Sequence, residues 1–266
     1  MKKILLISTG GTIASMPTDE GLTPKINSKK LLEYLNFTKL DFEIDTVNLL
    51  NVDSTDMQPK HWLKIKDEIK NNYEKYDGFV VTHGTDTMAY TASALSYLIQ
   101  NSQKPIVLTG SQKSIDMHIT DAKNNLLNSL LYASKNSSKG ISIVFDGKVI
   151  AGTRARKERT KSFDAFSSVN FPFLAIIQDE KIYRYINNED EDKEVKFYDS
   201  LNTNVFVLKL IPSMTAKILP EIFKNYDAII IESFGVGGIP KTIEIELKKL
   251  ISENYNNDNS STTRRF

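Results

Sequence analysis

Residues 3–14 read KILLISTGGTIA and join a short apolar run to a glycine pair. The run ILLI at residues 4–7 is typical of a strand that is covered on both faces of a sheet. Gly10 and Gly11 let backbone amides approach a ligand, and a tight turn would use the same residues. The G-x-G-x-x-G spacing of a dinucleotide site and the Walker A pattern are both missing. The stretch therefore predicts a strand followed by a glycine loop that presents Thr9 and Thr12.

Similar apolar runs alternate with helical stretches over the first half of the chain. Because strands that alternate with helices form parallel sheets through right-handed crossovers, this order predicts an α/β fold with helices on both faces of a mostly parallel sheet. The sequence FDGKV at residues 145–149 predicts a hairpin, and residues 153–172 show no clear period. The predicted strands are residues 3–8, 42–49, 79–82, 106–109 and 141–145; the predicted helices are residues 28–35, 59–72, 88–100 and 121–134, the last with Asp121 as its N-cap.

Composition excludes several classes of protein. The 266 residues carry 34 Lys+Arg against 33 Asp+Glu, a formal net charge of +1, which lacks the basic footprint of a general nucleic-acid binder. Cysteine is absent, so disulfide scaffolds, thiolate metal sites and cysteine nucleophiles are excluded. The three histidines lack the i, i+4 pairing of a helical zinc site. No apolar run is long enough for a secretory signal or a membrane span, and we expect a cytoplasmic protein without a metal.

The charged stretch NNEDEDKEVK at residues 187–196 predicts a linker, after which the α/β rhythm resumes. We expect a catalytic domain over residues 1–186, a linker over 187–203 and a smaller, incomplete α/β domain over 204–266 that ends in a polar tail. Two strands and two helices rarely form an independent domain, so this second block is expected to lean on the first domain or on a partner chain, or to be incomplete. Its predicted strands are residues 205–210 and 228–231, and its predicted helices are residues 215–225 and 242–253.

Four predicted strands end in glycine or aspartate with hydroxyl residues beside them. The sequences at these ends are STGGTIA at residues 8–14, NVDSTD at 51–56, THGTDT at 82–87 and TGSQ at 109–112. Each has a simpler explanation, since Asp86 could cap the next helix and His83 could be a structural hydrogen-bonding residue. Because the carboxyl ends of parallel strands meet at one edge of a sheet, the four loops together predict a site for a small polar ligand.

The basic stretch TRARKERTK at residues 153–161 is the remaining candidate for chemistry. Such a run often forms a solvated loop or contacts phosphate. A lysine buried beside a carboxylate can instead lose its proton and act as a base. A threonine hydroxyl needs a base before it can act as a nucleophile. Threonine, lysine and aspartate would then form a nucleophilic system that needs neither cysteine nor metal.

Six segments together resemble the bacterial asparaginase family, and in particular its cytoplasmic type I branch. They follow the order of that family across nearly the whole chain, and the pair TGGTIA and HGTDT is highly specific. The segments are STGGTIAS at residues 8–15, NVDSTDMQPKHW at 51–62, VTHGTDTMAYTASALS at 81–96, LTGSQ at 108–112, RKERTKSFDAFSSVNFP at 156–172 and ESFGVGGIP at 232–240.

The resemblance implies hydrolysis of L-asparagine to L-aspartate and ammonia, with weaker action on L-glutamine and no cofactor. It implies that Thr12 is the nucleophile, that Lys157 is the base, that Asp86 orients it, and that Thr85 activates water or the first threonine. Which threonine attacks in each step stays open. It also implies substrate contacts: Ser54 and Thr55 hold the α-carboxylate, Asp86 faces the α-ammonium, and amides near Thr12 and Thr85 with the Gly110-Ser111 turn form the oxyanion hole. The implied substrate-binding set is Gly11, Asp53, Ser54, Thr55, Gly84 and Ser111.

The chain departs from the family pattern at two places. Leu22 stands where the family usually has a tyrosine that activates the first threonine. Beyond Leu250 the family continues with further strand and helix units, so we expect a truncated chain. The resemblance further implies a homodimer or homotetramer. Two alternatives remain, the amidase subunit of a tRNA-dependent amidotransferase and an inactive truncated paralogue that only binds the amino acid.

Overall fold

The computed structural model describes residues 1–18, 21–24, 26–35, 41–186 and 193–258. These fall into two compact units, Met1–Ser200 and Leu201–Phe266. The first part of the predicted linker (187–192) and the end of the predicted polar tail (259–266) lie outside the described residues. The predicted domain limits stay a prediction.

The first unit is built around a large sheet with helices. Its strands are β1 (Lys2–Gly10), β2 (Ser15–Thr18), β3 (Gly21–Pro24), β4 (Phe42–Val52), β5 (Gly78–Thr82), β6 (Ile99–Gln100), β7 (Pro105–Thr109), β8 (Gly140–Phe145), β9 (Lys148–Ala151), β10 (Ala155–Lys157), β11 (Phe166–Ser168), β12 (Ala175–Gln178), β13 (Lys181–Arg184) and β14 (Lys196–Phe197). Its helices are α1 (Ser28–Glu33), α2 (Pro59–Asn72), α3 (Met88–Leu98) and α4 (Ala122–Ala133), with 3-10 turns at Thr12–Ala14 and Ser54–Asp56.

The main sheet has eight strands in the order β13-β12-β9-β8-β7-β5-β1-β4. Neighbours from β4 to β8 are parallel, and β8, β9, β12 and β13 pair antiparallel. Every residue of β5 and β7 is buried, as a strand covered on both faces requires. The predicted α/β fold with a mostly parallel sheet is confirmed. The predicted hairpin is confirmed as well, because β8 and β9 join through Asp146 and Gly147, whose φ angles are 49° and 70°.

Two local predictions were wrong because distant partners override short-range patterns. Helix α3 ends at Leu98 rather than residue 100, since β6 pairs with β14 from far along the chain. The segment predicted to be irregular contains the antiparallel pair β10–β11, whose three-residue strands are too short to show a period. Asp121 occupies the N-cap position of α4 as predicted, but its side chain makes no capping hydrogen bond to that helix.

The second unit has strands β15 (Val205–Lys209) and β16 (Ala228–Glu232), which pair in parallel. Helices α5 (Leu219–Asn225) and α6 (Lys241–Asp258) complete it, with a 3-10 turn at Ala216–Ile218. In the described part of the chain, no helix combines the length and the apolar character that a membrane crossing requires. The buried core of this unit consists of Leu208, Leu210, Leu219, Ile222, Ile243, Leu247 and Leu250.

Candidate active site

The loops that follow four neighbouring strands lie along one edge of the main sheet. Strands β4, β1, β5 and β7 are adjacent and parallel, and they end at Val52, Gly10, Thr82 and Thr109. The four polar loops are therefore side by side, as predicted from their sequences. In open α/β sheets this carboxyl edge is where ligands bind.

Two glycines allow three of these loops to pack closely together. Gly11 has a φ of 83°, and a Cβ on this residue would lie 2.4 Å from the amide nitrogen of Gly84. A Cβ on Gly84 would lie 2.6 Å from Oγ of Ser54. Any larger residue at either position would push the loops apart. Thr12 directly follows Gly11 and Thr85 directly follows Gly84, so both threonines lie next to the contact between these two glycines.

Lys157 joins Thr85 and Asp86 by hydrogen bonds. Its Nζ donates to Thr85 Oγ1 at 2.8 Å and to Asp86 Oδ1 at 2.6 Å. The Lys157 side chain is only 13% exposed, whereas that of Asp86 is 56% exposed. The pairing with β11 fixes the backbone of Lys157 opposite Phe166. A basic stretch of sequence therefore places one lysine in the site, against a hydroxyl and a carboxylate.

Gln112 is a site residue whose role the sequence motifs did not indicate. Its Oε1 accepts a hydrogen bond from Thr85 Oγ1 at 3.3 Å. Its Nε2 donates to the carbonyl oxygens of Arg159 and Ser162, at 3.2 Å and 3.0 Å. Gln112 thus ties the segment that follows Lys157 to the hydroxyl that Lys157 contacts. The sequence signals were its place in the loop after a predicted strand and in the segment LTGSQ, and neither indicated which groups it contacts.

Asp121 stabilises the loop that carries Gln112 rather than capping helix α4. Its carboxylate accepts hydrogen bonds from the backbone amides of Gln112 and Lys113, at distances of 2.9–3.1 Å, and from Asn125 Nδ2 at 3.1 Å. Burial raises the pKa of Asp121 above its usual value, and the amide hydrogen bonds oppose that rise. The amides of the preceding loop compete with the local capping pattern because they are partly buried donors that also need an acceptor.

Four of the residues expected to bind substrate, Asp53, Ser54, Thr55 and Ser111, lie in the loops after β4 and β7. Oδ1 of Asp53 accepts hydrogen bonds from both the amide and the hydroxyl of Thr55, each at 2.8 Å. Ser54 is buried, and its carbonyl oxygen accepts from Thr87 Oγ1 at 2.7 Å. Ser111 Oγ donates to the carbonyl of Lys113 at 2.5 Å, within its own turn. The hydroxyls of Thr55 and Ser111 therefore already have local partners.

Two further expectations concern Thr12 and Leu22, both of which follow β1 in the chain. Thr12 is half-buried in the 3-10 turn that follows Gly11. Leu22 lies on β3, which pairs antiparallel with β2.

Across the described ranges, His, Asp and Glu side chains form no group of three that could hold a metal ion.

His83 lies beneath the site with no exposed surface. Its Nδ1 lies 2.7 Å from the carbonyl oxygen of Gly84, and its Nε2 lies 2.9 Å from Thr91 Oγ1. Trp62 Nε1 donates to the same Thr91 oxygen at 2.9 Å. Burial lowers the pKa of His83 from 6.5 to about 4, although the hydrogen bond to Gly84 favours the charged form. The prediction of a structural hydrogen-bonding histidine is confirmed.

Because the pKa of His83 is lower in the folded chain, its contribution to stability is complete above pH 6.5 and is lost as the pH falls toward about 4. In that interval the unfolded chain binds a proton that the folded chain does not. As the pH falls through this interval, we expect protonation of His83 to lower the free energy of unfolding by an additional amount that approaches about 1.4 kcal/mol per pH unit. Urea unfolding of wild type and His83→Asn at a series of pH values measures this slope as the difference between them. Parallel curves for the two proteins would contradict the prediction.

Comparisons with known proteins agree with this arrangement of loops. Residues 3–190 match the family model described as asparaginase, N-terminal. The L-asparaginase of Thermococcus kodakarensis is 36% identical over 239 residues, which covers 90% of this chain and 73% of that protein. A glutamyl-tRNA(Gln) amidotransferase subunit of Pyrococcus abyssi is 33% identical over 270 residues, covering 95% of this chain and 61% of that protein.

The fold agrees with a solved structure of the same kind. The thermostable L-asparaginase from Thermococcus kodakarensis superposes with a TM-score of 0.88 at 34% sequence identity, over 94% of this chain and 77% of that one. The sequence match spans well over half of the chain, and the resemblance in fold covers nearly all of it. The chain belongs to the asparaginase family.

Proposed function

We propose that this chain hydrolyses L-asparagine to L-aspartate and ammonia through an acyl-enzyme ester on a threonine, as a cytoplasmic type I enzyme. The observation that carries the proposal is the Lys157 side-chain nitrogen, which is hydrogen-bonded to both Thr85 and Asp86 beside the glycine contact that flanks Thr12. A lysine held between a hydroxyl and a carboxylate is a recognisable proton acceptor for a threonine system. The proposed site uses no cofactor.

In the first step, Thr12 Oγ1 attacks the side-chain amide carbon of L-asparagine. Its proton passes through Thr85 to the unprotonated amine of Lys157, and the ammonium so formed then delivers that proton to the leaving nitrogen. Ammonia departs and the ester remains on Thr12. In the second step, a water molecule attacks the ester carbon with the same proton acceptor, and L-aspartate is released while Thr12 regains its proton. Asp86 holds Lys157 in place throughout.

The remaining residues bind the substrate and the developing charge. Ser54 and Thr55 hold the α-carboxylate, and the exposed oxygens of Asp53 and Asp86 face the α-ammonium group. Backbone amides beside Thr12 and Thr85, with the Gly110-Ser111 turn, stabilise the tetrahedral oxyanion. Gly11 and Gly84 let the backbones approach closely enough for this, and Ser111 belongs to the same turn.

A second function from the same family is supported by the relative named as an amidotransferase subunit. In that case the chain would release ammonia from L-glutamine for use on a tRNA-bound amino acid. An inactive form that binds L-asparagine without hydrolysing it is the third possibility. The Lys157, Thr85 and Asp86 contacts favour an active site over an inactive one.

The test is ammonia release by the purified 266-residue chain from L-asparagine and, separately, from L-glutamine. The oligomeric state is measured on the same sample, because we propose a homodimer or homotetramer. Hydrolysis of L-asparagine in preference to L-glutamine supports the proposal. Preference for L-glutamine favours the amidotransferase function, and binding of L-asparagine without ammonia release favours the inactive form.

A further inference from the structure

The hydrogen bonds around His83 allow only one arrangement of protons. A carbonyl oxygen can only accept, so the Nδ1 atom that faces the Gly84 oxygen at 2.7 Å carries a hydrogen. A neutral imidazole has one such hydrogen, and Nε2 therefore accepts from the Thr91 hydroxyl. The Thr91 oxygen in turn accepts from the indole N–H of Trp62. The series of hydrogen bonds from Trp62 through Thr91 and His83 to Gly84 thus has a single donor-to-acceptor direction.

The last bond of this chain fixes the orientation of one peptide group in the site. The Gly84 carbonyl and the Thr85 amide belong to the same planar unit, and in a trans peptide they point in opposite directions. Holding the Gly84 oxygen toward buried His83 directs the Thr85 N–H to the other side. The Gly84 side of this unit is fixed as well, because Gly11 and Ser54 press against Gly84. A rotation of the peptide would therefore break a buried hydrogen bond.

We propose that His83 is a positioning residue, which orients the Thr85 amide toward the oxyanion of the tetrahedral intermediate by holding the Gly84 carbonyl. This inference rests on the proposed hydrolysis for its catalytic meaning and on the hydrogen bonds alone for its geometry. His83 itself touches neither substrate nor reacting atoms. Thr91 and Trp62 set the direction of its hydrogen bonds.

Two substitutions separate the two nitrogen atoms of the ring. In His83→Asn the side-chain amide N–H takes the place of Nδ1, so the donor to Gly84 is kept and the bond to Thr91 is lost. In His83→Gln the amide reaches the place of Nε2, so Thr91 keeps a partner and the Gly84 carbonyl does not. Both variants remove the ring and stay neutral. A purely structural role of the ring predicts no preference for the shorter amide.

We expect His83→Gln to lower kcat for L-asparagine by about 100-fold with KM changed by less than about threefold, because a misdirected donor acts only in the transition state. His83→Asn is expected to keep kcat within about tenfold of wild type. Replacement of the exposed His118 by Gln is the matched control. Equal losses in the two His83 variants, a kcat of His83→Gln within about fivefold of wild type, or an effect on KM alone would overturn the proposal.

A measurement on the wild-type chain tests the geometry without activity. Labelling of the histidines with nitrogen-15 gives NMR signals from three imidazole rings, since the chain has three histidines. We expect His83 to remain the neutral Nδ1–H form from pH 5 to pH 8, as its pKa of about 4 requires. An Nε2–H form or a charged ring at pH 6.5 would overturn the proposal even if the chain is active. Absence of asparagine hydrolysis with the Nδ1–H form present would refute the proposed function and leave the geometry of the Gly84 peptide supported.

Discussion

The Thr12→Ala variant is expected to lose about 10⁴-fold or more in kcat for L-asparagine, because an enzyme without its nucleophile keeps only the catalysis supplied by binding and the oxyanion hole. The substitution deletes the γ atoms and keeps the backbone amide that follows Gly11. Substrate contacts from Ser54, Thr55 and Asp86 remain. The affinity of the variant for L-asparagine, measured by calorimetry, should therefore remain largely intact.

The matched controls are Thr12→Ser and Thr85→Ala. Serine keeps a hydroxyl at the same place, so Thr12→Ser should retain far more turnover than Thr12→Ala. If Thr85 were the attacking group, only Thr85→Ala would abolish ester formation. Trapping of the acyl-enzyme by acid quench and mass spectrometry of the peptide that carries the ester distinguishes the two. An ester on residue 85, or normal turnover by Thr12→Ala, would remove the assignment.

Much of the fold was predictable because it depends on local signals that repeat. Apolar runs such as residues 78–82 and 105–109 are wholly buried, and such runs indicate sheet interiors without reference to distant residues. The hairpin at Asp146-Gly147 follows from turn chemistry alone. The end of α3 could not be predicted in this way, since it depends on pairing between β6 and β14, which lie almost a hundred residues apart.

The candidate site shows the same division between local and distant signals. The edge at which the loops meet follows from the order of strands and helices, and the choice of threonine, lysine and aspartate follows from the motifs. The bridge made by Gln112 could not be predicted, because it joins the loop after β7 to carbonyl groups 47 and 50 residues further along. Asp121 was assigned to the nearest helix for a similar reason. A capping rule considers only the first turn of the helix, whereas partly buried amides of the preceding loop bind the Asp121 carboxylate.

The Lys157→Met variant is expected to lose about 10³-fold in kcat/KM at neutral pH, because a positioned base contributes roughly two to four orders of magnitude. The fold should tolerate the change. The partner Asp86 is 56% exposed, so the lost ion pair contributes about 1 kcal/mol or less to stability.

Lys157→Arg separates proton transfer from electrostatics. Arginine keeps a positive charge beside Asp86 and Thr85 but stays protonated at any pH that the protein survives. If Lys157 accepts a proton, the arginine variant should be as inactive as the methionine variant. Recovery of most of the activity by Lys157→Arg would mean that the charge alone matters. Lys161→Met, which changes an exposed lysine of the same basic stretch, is the control and should behave as wild type.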